Sequence, residues 1–131
     1  MSDIKVVRNI KFALSPSDEI LSTTIITAVE GGINYWAQVS NYKWDLDDPT
    51  VTSVRVHEVE AEHGEYEAGH DIGLDEIAKG MERMLQPEAK IARRIKDTLL
   101  TAINSDDGGD IDAEVADCVM QFAVLGELVY G

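Results

Sequence analysis

The chain has one cysteine, Cys118, so no internal disulfide can form and a reducing, cytoplasmic setting is expected. That cysteine lies in an apolar helical stretch, where an inert core thiol is the expectation. No apolar run approaches the roughly 18 residues that a bilayer-spanning helix needs. The first residues lack a signal-peptide pattern, so no membrane association is expected. A glycine-rich phosphate loop is missing, which removes the nucleotide-hydrolysing folds built on one. His57, His63 and His70 have no HxH or HExxH spacing, and residues 104–110, rich in aspartate and glycine, miss the offsets of an EF-hand. No metal and no cofactor is therefore expected. There is no serine elbow and no certifying cysteine–histidine spacing, so no catalytic residue is assigned.

Basic residues are scarce. Eleven of them face 25 acids, for a net charge of −14. Such a surface repels nucleic acid and anionic lipid and steers toward cationic proteins. The imbalance is local: residues 45–76 hold eleven acids against Arg55 alone, a net of −10, and residues 104–131 hold seven acids and no base. Four bases, Lys90, Arg93, Arg94 and Lys96, fall within seven residues. Hydrophobic content of 44% and charge of 27% are those of an ordinary globular protein, and 131 residues make one domain with its own core.

The pattern predicts an α+β fold, with a small antiparallel sheet (an N-terminal strand plus a central hairpin) packed against about four helices. Ile10, Phe12 and Leu14 alternate with smaller or charged residues, predicting a strand over residues 6–14. Ser15-Pro16-Ser17-Asp18 then opens a helix with Ser15 as its cap. Leu21, Ile25, Ala28, Gly32 and Trp36 at helical spacing carry that helix through Gly31-Gly32 to about residue 41, as the central helix of the fold. Residues 51–62 and 66–72 flank His63-Gly64-Glu65 as a hairpin. Further helices begin at Leu74-Asp75, at Pro87, and at Asp112, the last running to the end of the chain. A glycine in a helix costs about 1 kcal/mol, so the pair needs a reason. The expected one is close packing of Gly31 and Gly32 on Ala123 and Gly126 of the last helix, flanked by Trp36 and Phe122. The rival reason is a ligand site.

Two sets of candidate binding residues follow. Thr23, Thr27, Glu30, Asn34 and Gln38 would share one polar stripe of the first helix. With Tyr35 and a basic end from Arg93 and Arg94, the ligand candidates are Thr27, Glu30, Asn34, Tyr35, Arg93 and Arg94, suited to a phosphorylated metabolite or nucleotide signal. The first reading of the stripe is a solvated face, and of the bases partners for the acidic segments, with the ligand site as the alternative. The second set is Glu58, Glu60, Glu62 and Glu65, of which the first three would project from one face of a strand about 6.6–6.8 Å apart and meet a partner protein. A small enzyme with Glu30 as general base ranks last, because no second catalytic group can be named.

The stretch Glu30-Gly31-Gly32-Ile33-Asn34-Tyr35-Trp36, with Ala116-Asp117, Gln121-Phe122-Ala123, Gly126-Glu127 and Val129-Tyr130-Gly131, resembles a group of small uncharacterised phage and prophage proteins. That group has no established activity to carry over. The resemblance implies a context: an accessory product in the cytoplasm of a bacterial host. The function expected first is therefore an acidic binding protein that inhibits a host defence factor, of the anti-restriction or anti-CRISPR type. Its partner would be a host protein, for instance one that itself binds nucleic acid. Association with further copies of the chain stays open.

Overall fold

A computed structural model describes residues 15–44, 51–61 and 63–131, apart from the side chains of Trp44, His63, Glu65 and Glu67. In chain order come α1 (Asp18–Thr27), a single π-helical turn (Ala28–Gly32), β1 (Ala37–Trp44), β2 (Val51–Glu58), α2 (His63–Ala68) and β3 (His70–Gly73). Then follow α3 (Leu74–Met84), α4 (Arg93–Ser105), a 3-10 turn (Gly108–Asp110) and α5 (Ala113–Leu125). The class is α+β, with a three-stranded antiparallel sheet ordered β1-β2-β3 packed on helices. Four of the helices have ten or more residues, and α2 has six. No helix among the described residues is long and apolar enough to cross a membrane. The strand expected over residues 6–14 lies outside the described residues.

The first helix is shorter than its hydrophobic spacing predicts. Ser17, not Ser15, caps it, with Oγ accepting from the Ile20 backbone N–H at 3.2 Å. At the glycine pair the chain takes a π turn, closed by the Ile33 N–H on the Ala28 carbonyl at 3.0 Å. From Ala37 it is a strand, which breaks the expected helix over residues 15–41 and its polar stripe. Val39 and Tyr42 suit a pleated surface, and pairing with β2 supplies a hydrogen-bonded ladder that a helical continuation would forgo. Asn41, at φ 53°, sits inside the register shift between Ser40 and Lys43 and marks a bulge.

The hairpin also differs. β2 and β3 pair antiparallel, Val54 opposite Ile72 and Arg55 opposite Asp71, but α2 fills the connection. Glu58 ends β2 and Glu60 lies in the turn after it, so the acids do not form a row along a strand. Like charges spaced two apart repel on one strand face, and a turn disperses them. Glu62 lies outside the described residues, as does the side chain of Glu65. The helix expected from Pro87 begins at Arg93, so Lys90 precedes it and shares no helical face with Arg94.

The centre of the fold is α5 rather than α1. Eight consecutive residues, Val115 to Phe122, are buried, as expected of a helix surrounded on all sides. It packs against α1, α3, α4, β3 and the π turn, while α1 lies against β2. Asp112 caps it as predicted, accepting from the Val115 N–H at 2.9 Å. It stops at Leu125, where Gly126 turns left-handed at φ 81°, instead of continuing to the end.

Candidate functional site

The glycine pair does mark a close approach to the last helix, though with other partners than expected. A Cβ on Gly32 would lie 2.9 Å from the Ala113 carbonyl oxygen and 3.4 Å from the Asp117 nitrogen, whereas one on Gly31 would meet nothing within 4 Å. Ala123 instead faces Gly80 of α3, where an added Cβ would stand 2.7 Å from the Val119 carbonyl oxygen and 3.0 Å from the Ala123 Cβ. Gly126 serves only as the helix stop. Seating the π turn on the first turns of α5 delivers Tyr35 and Trp36 to Asp117.

There a buried polar knot forms. The Trp36 indole N–H donates to Asp117 Oδ1 at 2.8 Å, and the Tyr35 hydroxyl donates to Asp117 Oδ2 at 2.6 Å. One helical turn on, Gln121 Nε2 shares its hydrogens among Asp117 Oδ1 (3.0 Å), the Tyr130 carbonyl (3.1 Å) and the Tyr35 hydroxyl (3.3 Å). Gln121 Oε1 accepts from the backbone N–H groups of Val129 and Tyr130, both at 2.8 Å. Trp36 is 1% exposed and stacks on Tyr130, with ring centroids 5.4 Å apart and planes 10° from parallel. The segment after α5 is thus held by its main chain in a fork and by one aromatic side chain on a platform.

Asp117 is held by three neutral donors, and no ion pair reaches it among the described residues. Such saturation is what permits a buried carboxylate, and it leaves both oxygens occupied. The Tyr35 hydroxyl is raised well above its ordinary value, by desolvation first and then by its hydrogen bond to Asp117 and that carboxylate's charge. It stays a donor and makes a poor acid. Next along the helix, burial and then the charge of Asp117 push the Cys118 thiol up to about 11, in keeping with an unreactive core cysteine. The arrangement can grip an extended chain; it is not set up to move protons.

The ligand candidates are dispersed. Thr27 lines a hollow of about 500 Å³ with Glu19, Thr23, Asp106, Asp107 and Gly108 among its walls, acidic surroundings unsuited to a phosphate. Glu30 and Asn34 are exposed, and Tyr35 belongs to the knot. Arg94 forms a two-pronged pair with Glu114, both contacts 2.8 Å, and Arg93 lies 3.8 Å from Asp97. Thr27, Tyr35 and the two arginines share no hydrogen bond or ion pair among the described residues. Lys96 donates to the Gln86 carbonyl at 2.8 Å. The described residues contain no cluster of three metal-ligating side chains.

No family model, curated protein or solved structure matches this chain. The knot was missed as a unit because its members stand about eighty residues apart. A signal was present in Asp117 and Gln121, two polar residues four apart inside the otherwise apolar stretch from Val115 to Leu125.

Proposed function

We propose that the protein acts by binding a cationic host protein, as an acidic accessory protein of phage type that inhibits a host defence factor. The observation that carries this reading is how charge is spent. The one base of residues 45–76, Arg55, is neutralised by Asp71 across the β2–β3 pair at 2.8 Å, which leaves that region strongly negative. On α4, Arg93 and Arg94 are likewise answered by Asp97 and Glu114. Glu60, Asp75 and Glu76, all from residues 45–76, are exposed to solvent. Complementary charge accelerates encounter and gives it a steep salt dependence. Converting Glu58, Glu60 and Glu62 to glutamine should slow association with a protein captured from bacterial lysate and flatten its dependence on salt, with little change in melting temperature. Unchanged affinity at low salt would remove this arm from the interface.

A further inference from the structure

The outer face of the sheet carries a second polar cluster that the binding reading does not use. Ser40 on β1 and His57 on β2 are diagonal neighbours, and Ser40 Oγ lies 2.7 Å from His57 Nε2. His57 Nδ1 lies 2.6 Å from the Tyr66 carbonyl oxygen, one of the last carbonyls of α2, which lack a partner within the helix. A carbonyl only accepts, so Nδ1 carries the hydrogen. In the neutral ring Nε2 is then the acceptor, and the Ser40 hydroxyl donates to it. The imidazole is also fixed from its sides. The Tyr66 ring stands 5.5 Å away, and Gly69, at φ +66°, presses so close that a Cβ there would lie 2.9 Å from His57 Cε1 and Nδ1. The Tyr66 hydroxyl donates to Oε1 of Gln38, an exposed residue opposite His57 across the β1–β2 pair.

We propose that Ser40 is an activated nucleophile toward small neutral or cationic acyl esters, with His57 as its general base and the Tyr66 carbonyl and Gly69 as positioning groups. Nucleophile, base and an orienting third group in hydrogen-bond sequence are the required parts. Ser40 Oγ attacks the acyl carbon as its proton passes to His57 Nε2, and the role of donor to the developing oxyanion falls to the amide N–H groups of Gln38, two residues along β1. Collapse breaks the bond to the leaving alcohol, which takes the proton from Nε2. Water then attacks the acyl carbon, giving a proton to Nε2; Ser40 Oγ departs and recovers it, releasing the carboxylic acid.

The test is labelling of the intact protein with a small fluorophosphonate, mapped by mass spectrometry, with exposed Ser105 as internal reference. One label at Ser40 is expected, absent in Ser40→Ala. His57→Ala and His57→Gln should each slow it about a hundredfold. Added imidazole should restore labelling of His57→Ala, a rescue that a purely structural hydrogen bond would not show. Thermal melts of both histidine variants confirm that they are folded. Gln38→Leu should slow labelling about tenfold. Labelling of Ser40 no faster than of Ser105, or unchanged by both histidine substitutions, would overturn the proposal; no effect of Gln38→Leu would overturn the part given to that amide.

Discussion

Two polar clusters of similar bond length sit on opposite sides of this molecule's chemistry. Around Asp117 and Gln121 the acceptors are all taken, the carboxylate is 9% exposed and the glutamine 0%. Around Ser40 and His57 the side chains are half-buried and the hydroxyl faces a single acceptor. Every side-chain oxygen and nitrogen of Asp117 and Gln121 is already bonded, so the value of the first cluster is cohesion. The second keeps an oriented lone pair next to a hydroxyl, the precondition for reactivity. The lesson is that hydrogen-bond count separates the structural cluster from the reactive one better than distance does.

Removing Asp117 should sharpen that contrast most. Asp117→Ala strands the buried Trp36 indole N–H, worth about 1–3 kcal/mol without a partner, and takes one hydrogen bond of about 0.5–1.5 kcal/mol each from the Tyr35 hydroxyl and the Gln121 amide. A loss of roughly 3 kcal/mol or more in urea unfolding is expected. Asp117→Asn, which keeps one acceptor oxygen, should cost less. Next comes Gly32→Leu, which overpacks the seat of the π turn on α5 and should cost about 1–3 kcal/mol. Gly31→Ala, with open space at its Cβ, should be neutral or stabilising by up to about 1 kcal/mol. Equal costs for the two glycines would break the account of that crossing. Ser40→Ala should cost only about 0.5–1.5 kcal/mol, the worth of one ordinary hydrogen bond. A cost matching that of Asp117→Ala would make the sheet-face pair a second structural knot and erase the comparison.

A separate effect, confined to alkaline solution, is on pH dependence. The Cys118 thiol titrates at about 11 in the fold against an ordinary 9.0. As pH rises above 9 the unfolded chain loses this proton first, so stability is fully present below that pH and falls toward 11. Cys118→Ala should flatten the fall in that window, whatever it does to overall stability. A slope identical to that of the unsubstituted protein would show that Cys118 contributes nothing to it.

Much of the fold was legible because its signals are local. Asp112 announces a cap, Leu74-Asp75 announces the start of a helix, and the glycine pair announces a close backbone approach. Residues 37–41 form a strand where their spacing predicts helix, because Gly32 and Trp36 continue a helical spacing while the preference of Val39 for a sheet is settled only by β2, a partner outside any local window. The hairpin turn was misread for a related reason: His63–Ala68 can form a helix once Gly69 ends it at positive φ and β3 still reaches β2. Neither polar cluster could be assembled from spacing, since Trp36 must find Asp117 and Ser40 must find His57 across strands and helices. Their separate residues were visible; their adjacency was not.

The fork made by Gln121 has a consequence for how this chain can vary. It reads amide groups, which every residue but proline supplies, so the segment it holds is recognised almost without regard to side chains. Position 129, more than half exposed, should accept nearly any replacement other than proline, and position 127 should drift as freely. Position 121 has no such latitude: glutamate in its place would turn away one hydrogen-bond acceptor after another. Selection at this end of the molecule should therefore fall on the reader and leave the segment being read free to change.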